Sequence, residues 1–103
     1  MTDTYPEVQA DPGVTRRVLS QNPEIMVVGV TFEAGAEGKP HDHPHTQAVY
    51  VEGGRFRFTL GDDTIEIGEG ESLVVPSGTR HGVVCLEAGR LIDTFTPRRD
   101  DFL

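Results

Sequence analysis

The stretch Arg55 to Leu60, "RFRFTL", decides the fold, because its apolar residues fall on every second position. Phe56, Phe58 and Leu60 lie on one side of an extended chain, and Arg55, Arg57 and Thr59 on the other. That is the pattern of a strand with one face in a core and one in water. Runs of similar character recur outward from it: "RRVLS" (16–20), "IMVVGVTFE" (25–33), "QAVYVE" (47–52), then Thr64 to Ile67, Ser72 to Val75, Gly82 to Leu86 and Arg90 to Thr96. Between them "GG", "GDD", "GEGE", "PSGTR" and "EAG" read as turns, and "AGAEGKP" (34–40) as a glycine-rich loop. Helical periodicity is hard to find. Eight or so short strands at this spacing predict an all-β, antiparallel jelly-roll barrel, since curling two sheets together hides their edges.

The chain has 103 residues, enough for one domain with a modest core. Residues 14–103 are expected to form it. Residues 1–13 are polar, carry two prolines and read as an N-terminal arm, one that could lie on a partner subunit. The net charge is -8, from 9 Lys+Arg against 17 Asp+Glu, which argues against nucleic acid or an anionic membrane as a partner. An anionic substrate then needs a specific local cation. A single cysteine cannot form an internal disulfide, and "MTDTYPEVQADPG" has neither the basic nor the apolar region of a signal peptide, so a soluble cytoplasmic protein is expected. Outward-facing Ala48 and Tyr50 want cover on so small a barrel, which predicts a homodimer.

Residues 41–47, "HDHPHTQ", place His41, His43, His45 and Gln47 on alternate positions, in the parity of Val49 and Val51. Polar groups aimed into a core need partners, and a metal ion is one such partner. Two histidines at i and i+2 on a strand reach one ion at about 2.0 to 2.1 Å each, with further ligands from elsewhere. His81 is the remaining histidine, and it shares parity with Val83 and Cys85. Near the C-terminus Leu91, Asp93 and Phe95 share a face, which puts a carboxylate between two apolar residues on the inner side. The alternative is that Arg90, Ile92 and Thr94 face inward, which would expose Leu91 and Phe95. A buried carboxylate is costly unless it is paired, hydrogen-bonded or used. Cys85 reads as a small buried residue rather than a nucleophile.

The segment "GAEGKPHDHPHTQAVYVEGG", from Gly35 through His41 and His43 to Gly54, resembles the first motif of the cupin superfamily. "GESLVVPSGTRH", from Gly70 through Pro76 and Gly78 to His81, resembles its second. The resemblance runs over about residues 25–97, and two positions depart from it: Gln47 replaces the usual Glu, and Cys85 the usual Asn. It implies a cupin barrel, a double-stranded β-helix, with His41, His43, Gln47 and His81 holding one divalent transition metal (Zn, Fe, Mn, Ni, Co or Cu). His45 is no ligand in that pattern and falls to the rim. With an amide in place of a carboxylate, three imidazoles leave the site at +2, which favours anions.

The ending "DTFTPRRDDFL" together with "HPHTQ" narrows the likeness to the small metal cupins of pectin and alginate breakdown, the KdgF type. Those proteins convert 4,5-unsaturated monouronates into linear 4-deoxy-5-keto uronates. The resemblance implies Asp93 as general acid/base, Arg99 as a catalytic residue and carboxylate anchor, and Phe95 as an apolar wall against a small anionic sugar. Arg98 competes for the cation's role. Two other readings stay open: another metal cupin, such as an Fe(II) dioxygenase or an isomerase, and a sugar- or metal-binding cupin without turnover.

Overall fold

The computed structural model describes residues 4–103. Among them are eight strands: β1 (Val8–Asp11), β2 (Val14–Asn22), β3 (Ile25–Phe32), β4 (Glu37–His41), β5 (Thr46–Leu60), β6 (Asp63–Gly68), β7 (Ser72–Val75) and β8 (His81–Thr96). A 3-10 turn at Asp100–Phe102 follows. The all-β jelly-roll expectation holds.

The frame is the antiparallel pair of long strands β5 and β8, in register from Thr46 opposite Thr96 to Leu60 opposite His81. The C-terminal half of β8 also pairs with β3, and its N-terminal half with β4. Likewise β7 pairs with the first half of β5, and β6 with the second. The two long strands therefore pass from one wall of the barrel to the other: β1-β2-β3-β8-β5-β7 make one wall and β4-β8-β5-β6 the other.

The crossing point differs from the turns read in the sequence. "GG" and "EAG" do not end strands; they are bulged bends within β5 and β8, with register shifts between Val51 and Gly53 and again around Arg55. The extra residue explains a switch of parity. Before the bulge β5 buries Gln47, Val49 and Val51, and after it Phe56 and Phe58. Gly54 has φ 85°, and a Cβ there would lie 2.5 Å from the Glu87 carbonyl oxygen, so only glycine lets the strands approach so closely.

Two other segments are more ordered than their sequence suggests. Glu37–His41, inside and just after the expected loop, pairs with β8 although its residues are poor strand formers. Val8–Asp11, read as part of the arm, pairs with β2; the start of that arm, residues 1–3, lies outside the described residues. The core between the walls holds Met26, Val28, Phe32, Val49, Val51, Phe56, Val75, Cys85 and Leu91. Phe32 meets Phe56 edge to face, with ring centres 5.2 Å apart. Among the described residues no helix is long and apolar enough to cross a membrane.

Candidate metal centre

The histidine stretch sits where the chain leaves β4 and enters β5. His41 ends β4 opposite His81, the first residue of β8, His43 lies in the short connection, and Gln47 opens β5 on its inner face. A backbone hydrogen bond from Gly78 N to the His43 carbonyl (2.9 Å) ties that connection to the loop before β8. Residues forty positions apart in sequence thus meet. His41, His43 and His81 bring one ligand atom each to within 4.8 Å of one another.

Their second nitrogens are already committed. Nδ1 of His41, His43 and His81 lies 2.9, 3.0 and 2.9 Å from the backbone carbonyls of Lys39, His45 and Thr79. A carbonyl only accepts, so each Nδ1 carries the proton, and in the neutral ring Nε2 keeps its lone pair for a metal. The neutral form is favoured at the two buried rings. Burial lowers the pKa of His43, against the bond that only its protonated ring could donate to Gln47. Burial likewise lowers that of His81, against the bond to the Thr79 carbonyl.

Two observations show that these residues fit a cation. Nε2 of His81 is buried without a partner. Nε2 of His43 faces Gln47 Oε1 at 3.0 Å, a meeting of two acceptors that repel each other unless a cation lies within reach of both. Two neighbouring ligands of an octahedral ion, with bonds of about 2.1 Å, stand about 3.0 Å apart. The donor set of three imidazoles and an amide oxygen suits a divalent transition metal.

The rest of the predicted site gathers around this cluster. Leu91, Asp93 and Phe95 are all buried, so the inward reading of β8 is the one the fold adopts. A cavity of about 330 Å³ is lined by His41, Gln47, His81, Asp93, Phe95 and Arg99 among others. Asp93 is 8% exposed and its Oδ1 has no hydrogen-bond partner. Burial pushes its pKa up to about 7, against the pull of the Gln47 amide and the Arg99 guanidinium. Arg99 lines the cavity and donates from Nε and Nη2 to the two carboxylate oxygens of Asp101, at 3.0 and 2.8 Å. That pairing holds the Asp101 carboxyl below its usual range. Arg98 points elsewhere, to Asp100 at 2.7 Å and to Gln21 at 2.9 Å. His45, expected at the rim, is half-buried, edge to face with His43 at 5.4 Å and with its Nδ1 buried without a partner. Cys85 is buried with its thiol on the Glu87 carbonyl, and burial raises its pKa.

Among the cavity-lining residues not foreseen are Asp101, Arg16 and Phe102. Asp101, which fixes Arg99, could have been suspected from its position two residues along. Arg16 also lines the cavity; its parity with Val14 and Val18 on "VTRRV" was the available signal.

Fold and cluster together define a small jelly-roll barrel equipped to hold a metal ion. The Cupin domain model matches residues 28–95. The chain belongs to the cupin family. It is 37% identical to the pectin degradation protein KdgF of Dickeya dadantii (strain 3937), over 98% of this chain and 94% of the relative. The structure of KdgF from Halomonas sp. superposes with a TM-score of 0.91 at 34% identity, covering all of both chains. An RmlC-like cupin from Shewanella frigidimarina NCIMB 400 also gives 0.91, at 38% identity, over 96% of this chain and 89% of that one.

Proposed function

We propose that this cupin is a metal-dependent enzyme that opens 4,5-unsaturated monouronates to linear 4-deoxy-5-keto uronates. The observation that carries the reading is Asp93, a buried carboxyl with a pKa of about 7, in one cavity with His41 and His81 of the histidine cluster. The likeness to two proteins named KdgF, one of them for pectin degradation, supports the substrate class.

The reaction is an isomerisation. The C1 hydroxyl loses its proton as C1 becomes an aldehyde, the bond from C1 to the ring oxygen breaks, C5 becomes a ketone and C4 gains a proton. A carboxylate can take the first proton and, once protonated, return it to C4, which is the role assigned to Asp93, whose burial favours the protonated form. His41, His43, Gln47 and His81 would hold the metal, and a divalent ion there supplies Lewis-acid polarisation of a substrate oxygen. Arg99, its Nε and Nη2 fixed by Asp101, offers its remaining N–H groups to the uronate carboxylate. Phe95, stacked under the Arg99 guanidinium at 5.2 Å, gives the sugar an apolar wall. The cavity's apolar lining, from Val30, Phe32, Phe58 and Leu91, limits water around the proton transfers.

The conjugated C4=C5 bond absorbs in the ultraviolet, and opening removes that absorbance. Metal-loaded protein should accelerate the decay for unsaturated galacturonate or its alginate-derived counterpart. Asp93→Asn should lower that rate by about 100-fold or more while keeping the metal. His81→Ala should lose most of the metal along with the rate. Decay no faster than without protein, with each of several divalent metals supplied, would sink the uronate assignment. Oxygen uptake with Fe(II) would instead favour a dioxygenase.

A further inference from the structure

Arg16 is a cation on a core face. Strand β2 buries Val14 and Val18 at 2% and 5% exposure. Arg16 lies midway between them, half-buried, with the same parity, and lines the cavity together with Asp93 and Arg99. A guanidinium turned inward between buried valines is unfavourable unless its charge is matched.

Among the described residues no carboxylate lies within 4.0 Å of it. Arg55, Arg57, Arg90, Arg98 and Arg99 each have a carboxylate within 4.0 Å. Arg17 and Arg80 do not, but they are exposed to water. Arg16 alone is turned inward without a carboxylate at that distance, even though Asp11 lines the same cavity. What holds it is an aromatic ring. Its Cζ lies 4.1 Å from the centre of the Phe102 ring, and the Arg99 Cζ lies 4.3 Å from the same centre. Phe102, at the end of the 3-10 turn, therefore places two guanidiniums at one end of the cavity. They are not equivalent. Arg99 is neutralised by its two bonds to Asp101, whereas Arg16 keeps both its net charge and its donors.

We propose that Arg16 is a substrate-binding residue, supplying the unmatched charge that selects a carboxylate over a neutral group, with Phe102 as the residue that positions it. Taking that carboxylate as a uronate's rests on the function proposed above. In this arrangement Arg99 contributes geometry and Arg16 contributes net attraction. The C-terminal turn is then part of the binding site, because it brings Phe102 over the barrel mouth.

The test compares galacturonate with its uncharged methyl ester by calorimetry on metal-loaded protein. Wild type should favour the acid by about ten-fold or more, as expected of a charge-assisted pair. Arg16→Met should cut that preference by more than about three-fold, while Arg16→Lys should keep part of it. The methionine variant should melt no lower than wild type, since it relieves an inward charge; a purely packing role would lower its Tm and leave the preference intact. Should it fail to fold, Arg16→Gln carries the same comparison. A preference that Arg16→Met or Arg16→Gln leaves unchanged, or one absent from wild type, overturns the proposal. The ultraviolet decay assay judges the linearising activity independently, so each can fail without the other.

Discussion

Asp93 carries a stability cost that pH should reveal. Burial holds its folded pKa at about 7, whereas its ordinary value is 3.8. As pH rises from about 4 to 7 the unfolded chain gives up this proton and the folded chain keeps it. The stabilising contribution is therefore complete below about pH 4 and is lost as pH rises through about 7. Three pKa units correspond to on the order of 4 kcal/mol at most. His43 and His81, with pKa values lowered by burial, act in the opposite sense, so the comparison has to be between variants. Metal-stripped Asp93→Asn should gain stability over metal-stripped wild type as pH is raised from 5 to 8, read from urea midpoints. A difference between the two that stays constant over this range would contradict the assigned burial cost. Much of this chemistry was legible in the sequence, because i, i+2 spacing and strand parity say which side chains share a face. The inward aim of Asp93 followed from Leu91 and Phe95. What parity could not give was the company each residue keeps: that Asp101 satisfies Arg99, or that Arg16 and Arg99 meet on Phe102, depends on contacts between elements distant in sequence.

At the scale of elements, the glycines of the two cupin motifs serve different ends. Gly54 and Gly70 have nearly the same positive φ, 85° and 84°, but a Cβ on Gly54 would meet the backbone carbonyls of Glu87 and Ala88 at 2.5 and 2.8 Å, and one on Gly70 would meet nothing within 4 Å. Gly70→Ala should therefore cost only the conformational penalty, about 1 kcal/mol. Gly54→Ala should cost about 3 kcal/mol or more, because neither β5 nor β8 can withdraw its backbone without opening the bend. Thermal melts of the two variants test this, and equal losses would mean that the close approach at the bend is not a constraint. The same bend explains why the sequence read β5 and β8 as two strands each. A Gly-Gly pair marks a hairpin turn and a strand bulge alike, and only the change of buried parity between Val51 and Phe56 separates them. β4 was missed for the opposite reason, since "EGKPH" has little strand propensity and is ordered by its partner β8.

At the scale of the whole molecule, one wall of the barrel leaves large apolar side chains in water. On its outer face Ala48 stands opposite Val74 on β7 and Thr94 on β8, and Tyr50 stands opposite Ile92. Val27 continues the row from Thr94. Tyr50 is 48% and Val74 59% exposed, so water meets a short, mostly apolar row, bounded by the Arg90–Glu52 ion pair. The net charge of -8 opposes indiscriminate association, which leaves a matched, self-complementary face as the way to cover such a row. A two-fold contact of about 800 Å² per subunit centred on Tyr50 and Val74 would bury it. Sedimentation at micromolar concentration should then show twice the 11.3 kDa chain mass. Val74→Asp, a charge placed where the two copies would meet, should return the protein to a monomer without disturbing the histidine cluster, because this face looks away from the cavity. A wild-type protein that sediments only as an 11.3 kDa species would mean that this wall is simply tolerated in water.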